Sequence, residues 1–178
     1  MSAFATLLRV VVGGLFVGHG TQKLFGWFGG GGPDGTGQFF EKLGLRPGRR
    51  NAVAAGAAEA GGGLLLASGV ATPLAAAGLT GTMVSAIRHV HFDNGVWSTD
   101  GGYEYNLVLL AAVASITERE SGPGWALAQL LAGAGGSVAM TELAKRQAEP
   151  PAEPERDGDE PAWSPADFDR ERAALSAS

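Results

Sequence analysis

Residues 4–24 read FATLLRVVVGGLFVGHGTQKL, and this stretch decides the fold. A helix of this length reaches about 30 Å, which is the thickness of the hydrocarbon core of a bilayer. Apart from Arg9 near its start, the run is apolar until its end, where His19, Gln22 and Lys23 fall at positions i, i+3 and i+4 and therefore share one helical face. Ionisable groups inside an apolar helix usually face a bundle interior and mark a site.

Three further stretches resemble membrane spans: 52–71, 73–91 and 103–118. The first three spans are rich in glycine, which costs a soluble helix about 1 kcal/mol per residue relative to alanine. Membrane helices accept glycine because small residues let backbones pack closely, and Gly14-x-x-x-Gly18 and Ala77-x-x-x-Gly81 have the spacing for such contacts. The sequence therefore predicts an all-α fold, a polytopic membrane four-helix bundle. The alternative is a soluble helical bundle rich in glycine and alanine.

The charge distribution divides the chain into a transmembrane domain, 1–140, and a tail, 141–178. The tail carries the excess of acidic residues that gives the chain its net charge of −5. Because it is rich in proline and poor in large aliphatic residues, the sequence predicts a disordered acidic C-terminal tail. Segment 125–138 is apolar but too short for an ordinary span, so it is expected to lie at the interface or to re-enter the membrane.

The polar residues of the spans gather toward one end of the predicted bundle. Antiparallel helices bring His19 and Glu59 to a similar depth, so we predict a polar pocket that opens to one leaflet, with a Glu59–Lys23 or a Glu59–His19 pair at its floor. Arg9 alone lies near the opposite end, where it could snorkel to the interface. The candidate pocket residues are His19, Gln22, Lys23, Glu59, Glu104 and Asn106.

The loop between the first two spans has three parts. Phe25 to Phe28 places aromatic side chains where an interfacial belt belongs. Residues 29–37 are mostly glycine and predict a flexible turn, and residues 38–45 predict a short interfacial amphipathic helix. Trp27, Phe28 and Trp97 could stack on a ligand ring or anchor the helix ends.

Two observations limit the chemistry. The chain has no cysteine, which excludes thiolate nucleophiles, iron–sulfur ligation and covalent haem attachment. His89, His91 and Asp93 alternate along the chain, but residues two apart on a helix point in different directions. We therefore assign no metal site, and no catalytic residue can be named. A haem held between His19 and His89 is geometrically conceivable, and we rank it below the other hypotheses.

Several motifs resemble the DoxX family: FVGHGTQKLFG at 16–26, Glu59 followed by GGGLLLASG at 61–69, GYEYNL at 102–107, and GPG at 122–124. The resemblance covers roughly residues 5–125. It implies a four-helix, multi-pass protein of the bacterial cytoplasmic membrane. Relatives resemble small subunits of thiosulfate:quinone oxidoreductase, and others are associated with membrane oxidoreductase complexes that handle oxidative stress.

Three functional hypotheses follow. The first is a membrane subunit of a redox complex whose pocket binds quinone, the candidate cofactor, or docks a soluble oxidoreductase. The second is a structural or assembly factor without catalysis. The third, a small proton-coupled transporter, is weaker because four helices without an internal repeat give little basis for alternating access. The expected partners are a lipid membrane and at least one protein, with no nucleic acid, and whether the chain is itself an enzyme stays open.

The sequence leaves the membrane orientation open. Counting basic residues puts the loops in the cytoplasm and both termini outside, whereas an acidic tail is equally consistent with the inside of the cell. If segment 125–138 crossed the membrane, the tail would change sides.

Overall fold

The computed structural model describes residues 3–148, and all regular secondary structure in this range is helical. Residues 1–2 and 149–178, which include most of the predicted tail, lie outside the described part. The described helices are α1 Ala3–Phe25, α2 Gly32–Lys42, α3 Gly48–Ser68, α4 Thr72–Ala86, α5 Glu104–Ser121 and α6 Pro123–Ala148. A five-residue π-helical turn, Ile87–His91, continues α4.

Helices α1, α3, α4 and α5 correspond to the four predicted spans, but α6 is a fifth long helix. Segment 125–138, predicted to be interfacial or re-entrant, is the middle of this helix. Its 26 residues reach about 39 Å. Residues 141–148, assigned to the tail from the sequence, form its last two turns. The described chain is therefore an all-helical assembly with five long helices, and a four-helix bundle describes only part of it.

The long helices alternate in direction, so that α6 runs parallel to α4. Two side-chain hydrogen bonds fix this arrangement: Thr80 Oγ1 donates to Gln129 Oε1 at 2.6 Å, and further along both helices His89 Nε2 lies 3.2 Å from Thr141 Oγ1. The C-terminal end of α6 consequently lies beside the π-helical turn. We call this end of the bundle, where α1 finishes and α3 begins, the loop end.

Glycines form the contact between α1 and α3. A Cβ atom on Gly13 would lie 2.5 Å from the Gly63 carbonyl oxygen, and one on Gly20 would lie 2.6 Å from the Gly56 carbonyl oxygen. Because real Cβ atoms do not approach backbone so closely, the two helices can touch only where these side chains are absent. We call the contact made by these four residues the glycine seam.

The sequence predicted close helix contacts at two pairs of small residues. This prediction was wrong for Gly14 and Gly18 in α1 and right for Ala77 and Gly81 in α4. A Cβ atom on Gly14 or Gly18 would meet no atom of residues 3–148 within 4 Å, so these two glycines face outward. In contrast, a Cβ atom on Gly81 would lie 3.2 Å from the Gly133 carbonyl oxygen, and one on Gly133 would lie 2.5 Å from the Ala77 carbonyl oxygen. The partner of Ala77 and Gly81 is therefore the unforeseen helix α6.

The predicted flexible turn at residues 29–37 is largely helical. Helix α2 begins at Gly32, with Pro33 in its first turn, where the missing N–H of proline does no harm. Gly37 packs against the backbone of Arg49, where a Cβ atom would lie 2.8 Å from the Arg49 nitrogen. The glycines therefore serve close packing of α2 on α3 in this part of the chain.

Large apolar side chains cover the outside of the bundle. The core contains Phe16, Leu66, Leu79 and Val113, but the exposed large apolar residues of the described chain outnumber the buried ones. Exposed apolar surface on this scale marks a contact with lipid or another protein. By length and composition, one described helix, α1, qualifies as a membrane span. The other three predicted spans do not meet that standard.

The far end of the bundle, opposite the loop end, is tied together by a buried ion pair. The Arg9 guanidinium contacts the Glu120 carboxylate at 2.8 Å, and Thr72 Oγ1 donates to the same carboxylate at 2.6 Å. Both charged side chains are mostly buried. Arg9 thus links α1 to α5 and α4 and does not snorkel outward as predicted.

Candidate functional site

A partly open cavity of about 1140 Å³ extends from the middle of the bundle to the loop end. Its wall is mostly apolar and is built from small residues of α3, α4 and α6, among them Ala55, Ala58, Gly78, Gly81, Gly133 and Gly136. Small residues leave space between helices that larger side chains would fill. The same composition that permits close helix contacts elsewhere therefore opens a chamber here.

The polar centre of this cavity is an ion pair between α1 and α3. Lys23 Nζ lies 2.5 Å from Glu59 Oε2, and it also lies 3.4 Å from the His19 carbonyl oxygen. The Glu59 side chain is 5% exposed and that of Lys23 is 22% exposed. A carboxylate buried to this degree needs a partner. Of the two pairs predicted from the sequence, the structure contains the one with Lys23.

The glycine seam determines this pairing. Gly20 and Gly56 hold α1 against α3 one turn away from Lys23 and Glu59, so that the lysine stem reaches the carboxylate across a short gap. Both charges line the cavity.

Three other predicted residues also line the cavity. His19 and Gln22 lie beside Lys23 on α1, and Gln22 Nε2 donates to the Phe28 carbonyl at 3.4 Å. Asn106 enters from α5, is buried, and directs Nδ2 toward Met83 Sδ at 3.4 Å. The structure thus brings five of the six candidate residues to one chamber.

Glu104, the sixth candidate, does not line the cavity. Its carboxylate accepts hydrogen bonds from the backbone N–H of Ser98, at 3.0 Å, and from the Ser98 hydroxyl. Its own N–H donates to the Val96 carbonyl at 2.9 Å. Glu104 therefore holds the connection between α4 and α5 in shape, and its role is to position that connection.

We predict that Glu104→Ala loosens this connection without unfolding the bundle. Loss of the carboxylate frees the Ser98 N–H and hydroxyl, so amide hydrogen exchange at Ser98 should become faster. Exchange at core positions such as Leu79 should not change, and Glu104→Gln, which keeps an acceptor oxygen, should retain part of the protection. Equal exchange rates at Ser98 in Glu104→Ala and the wild type would contradict this role.

Sequence reasoning missed the residues that α6 contributes. His89, on the π-helical turn, and Ser137 and Thr141, on α6, all line the cavity. Thr141 Oγ1 donates to the Ser137 carbonyl at 2.9 Å and also contacts His89. No local signal marked Ser137 and Thr141, because their place in the wall exists only once α6 packs beside α4.

The aromatic residues at the loop end lie outside the cavity wall. Trp27, Phe28 and Trp97 are 58%, 76% and 66% exposed and do not belong to the lining. Their position matches the interfacial belt of membrane proteins. Of the two roles considered for them, anchoring of helix ends fits this placement.

The two histidines that follow α4 point to different partners. His89 contacts Thr141, whereas His91 Nδ1 lies 2.6 Å from the Gly101 carbonyl oxygen. Within residues 3–148, no three His, Asp or Glu side chains cluster closely enough to hold a metal ion.

Comparison with known proteins gives one match. The model of the DoxX family matches residues 4–92, which contain α1 to α4 and the π-helical turn. No curated protein and no solved structure matches the chain significantly. The matched range includes Lys23, Glu59 and His89, whereas α5 and α6 lie beyond it.

Proposed function

The chain belongs to the DoxX family of membrane proteins, and from this premise we propose that it is a multi-pass subunit of a membrane redox complex whose cavity binds quinone. The observation that carries the proposal is a large, mostly apolar cavity with a buried Lys23–Glu59 pair in its wall.

The size of the cavity favours a ligand. Protein interiors are packed almost as densely as organic crystals, and ligand pockets commonly measure about 300–1,000 Å³. A chamber of about 1140 Å³ is slightly larger than that range. A purely structural role for the Lys23–Glu59 pair, such as fixing the register of α1 and α3, requires no chamber beside it.

The chemistry of the wall suits a quinone. The ring and its hydrocarbon chain need an apolar surface, which the small residues provide, and the ring carbonyls need hydrogen-bond donors. The Lys23 ammonium has three N–H groups. Its recorded contacts are Glu59 and the His19 carbonyl, so the third N–H can serve a ligand oxygen. Glu59 can exchange protons with a ligand that is reduced or oxidised.

The exterior supports multiple membrane crossings. Exposed large apolar residues occur on all five long helices, including Leu15 on α1, Leu64 on α3, Leu74 on α4, Val108 on α5 and Leu131 on α6. Each of these side chains would face lipid in a bilayer. The loop end carries the exposed aromatics that suit the interface.

The experiment is extraction of the full chain from native membranes in a mild detergent. We expect quinone at a stoichiometry comparable to the chain, measured by solvent extraction and chromatography, together with an oxidoreductase subunit identified by mass spectrometry. The double variant Lys23→Met/Glu59→Leu should keep the partner but lose the quinone, because it removes the polar groups and leaves the outer surface unchanged. A chain that elutes alone and without quinone would contradict the proposal.

A further inference from the structure

The wall of the cavity contains a second polar group, on helical elements other than α1 and α3, which carry the Lys23–Glu59 pair. His89 lies on the π-helical turn, and Ser137 and Thr141 lie on α6, four residues apart and therefore on one face of that helix. All three line the cavity. π-helical turns inside α-helices often occur at functional sites because they redirect side chains.

Ser137 carries an unsatisfied hydroxyl. The residue is only 7% exposed, and its Oγ has no hydrogen-bond partner anywhere in residues 3–148. Burial of an unpaired hydroxyl is unfavourable, so a native protein seldom retains one without a partner or a ligand. The position of Ser137 in the cavity wall indicates a ligand.

The neighbouring hydrogen bonds fix which nitrogen of His89 carries the hydrogen. The Thr141 hydroxyl has one hydrogen, which it donates to the Ser137 carbonyl. It can therefore only accept from His89, so His89 Nε2 is the donor of the 3.2 Å contact. In the neutral ring this leaves Nδ1 as a hydrogen-bond acceptor.

A ligand hydroxyl has the hydrogen-bonding groups that both residues lack. Its oxygen accepts the hydrogen of Ser137 Oγ, and its own hydrogen is donated to His89 Nδ1. A carbonyl oxygen can satisfy Ser137 but has no hydrogen for His89. The two residues together therefore discriminate a hydroxyl from a carbonyl.

We propose that Ser137 and His89 form a second binding position in the cavity, which recognises a ring hydroxyl and favours the reduced quinol over the quinone. This inference rests on the proposed function, since it names the redox form that the same cavity prefers.

The test is calorimetric titration of the purified full chain in nanodiscs with a short-chain ubiquinol, under anaerobic conditions, and with the matching ubiquinone. The wild type should bind the quinol about 3- to 10-fold more tightly than the quinone, the value of one neutral hydrogen bond. Ser137→Ala should weaken both forms by a similar factor. His89→Phe should weaken the quinol alone and bring the ratio of the two dissociation constants close to one.

The thermal stability of the variants provides the control. Because the Ser137 hydroxyl has no partner in the empty protein, Ser137→Ala should leave the Tm unchanged or raise it, while binding weakens. Ser68→Ala, which removes a hydroxyl bonded to the Leu65 carbonyl at the far end, should change neither affinity.

The outcomes separate the two proposals. If the wild type binds both forms equally or binds the quinone more tightly, the second position is wrong and the quinone cavity stands. The same follows if Ser137→Ala and His89→Phe bind both forms like the wild type. A marked fall in Tm for Ser137→Ala would make Ser137 a structural residue and also overturn the second position. If the wild type binds neither form, the quinone cavity fails and the second position fails with it.

Discussion

Replacing Lys23 with methionine is expected to lower the free energy of unfolding by about 3 kcal/mol, because it leaves the Glu59 carboxylate buried without its counter-charge. Removing one member of a buried pair costs about 3–5 kcal/mol in other proteins, and the partial exposure of Lys23 favours the lower value. The measurement is chemical denaturation of the detergent-solubilised protein, followed by circular dichroism.

The double variant Lys23→Met/Glu59→Leu separates the effect on stability from the effect on quinone binding. With both charges gone, apolar side chains of similar size should restore most of the lost stability, but quinone binding should remain absent. The exposed pair between Arg49 and Asp34, which is 2.8 Å long, provides the control. Since its side chains are 71% and 77% exposed, Asp34→Ala should cost at most about 1 kcal/mol. A Lys23→Met protein as stable as the wild type would contradict the buried-pair account.

Replacing Gly20 with leucine is expected to prevent α1 from packing on α3. A Cβ atom at this position would lie 2.6 Å from the Gly56 carbonyl oxygen and 2.7 Å from the Ala60 Cβ. These neighbours belong to the backbone of α3 or are fixed directly to it, so the helices must separate along the glycine seam. Overpacking costs about 1–3 kcal/mol where side chains can adjust, and we expect a loss of about 3 kcal/mol or more here. Size-exclusion chromatography of the solubilised variant would show little folded monomeric species.

Gly18, only two residues away in α1, provides the matched control. A side chain there meets no atom of the described chain within 4 Å, and leucine has a higher helix propensity than glycine by nearly 1 kcal/mol. Gly18→Leu should therefore be neutral or slightly stabilising. If both variants failed to fold, the Gly18 side of α1 would have to contact a further protein surface, and the seam would not explain the difference.

As helix boundaries, the limits of the predicted spans agree with the structure where an apolar run is bounded by charged or turn residues. The first, 4–24, differs from α1 by one residue at each end, and 103–118 differs from α5 by at most three. Helix α6 was missed because no clear boundary ends its apolar run. Its apolar part is short, and its last turns contain Glu142, Lys145 and Arg146, which resemble the start of a polar tail.

The candidate site was only partly predictable. The depth of Lys23 and Glu59 followed from counting residues along two antiparallel helices, and that count led to the observed pair. The spacing of seven residues between Gly13 and Gly20 is also present in the sequence. The close helix contact was instead predicted at the shorter Gly14–Gly18 spacing. Ser137 and Thr141 could not be placed from the sequence. Their position beside His89 depends on α6, which was not expected to form a long helix packed alongside α4.

With α6, the described chain has five long helices, an odd number. Because these helices alternate in direction, the two ends of the described chain lie at opposite ends of the bundle. Ala3 lies at the far end and Ala148 at the loop end, where Lys145 and Arg146 now join Lys23 and Arg88. Basic residues favour the cytoplasmic face. If all five long helices cross a bilayer, we therefore expect Ala148 and the cavity end on the cytoplasmic side and Ala3 on the other side. A soluble partner that binds beside Ala148 would then reach the open end of the cavity without crossing the bilayer.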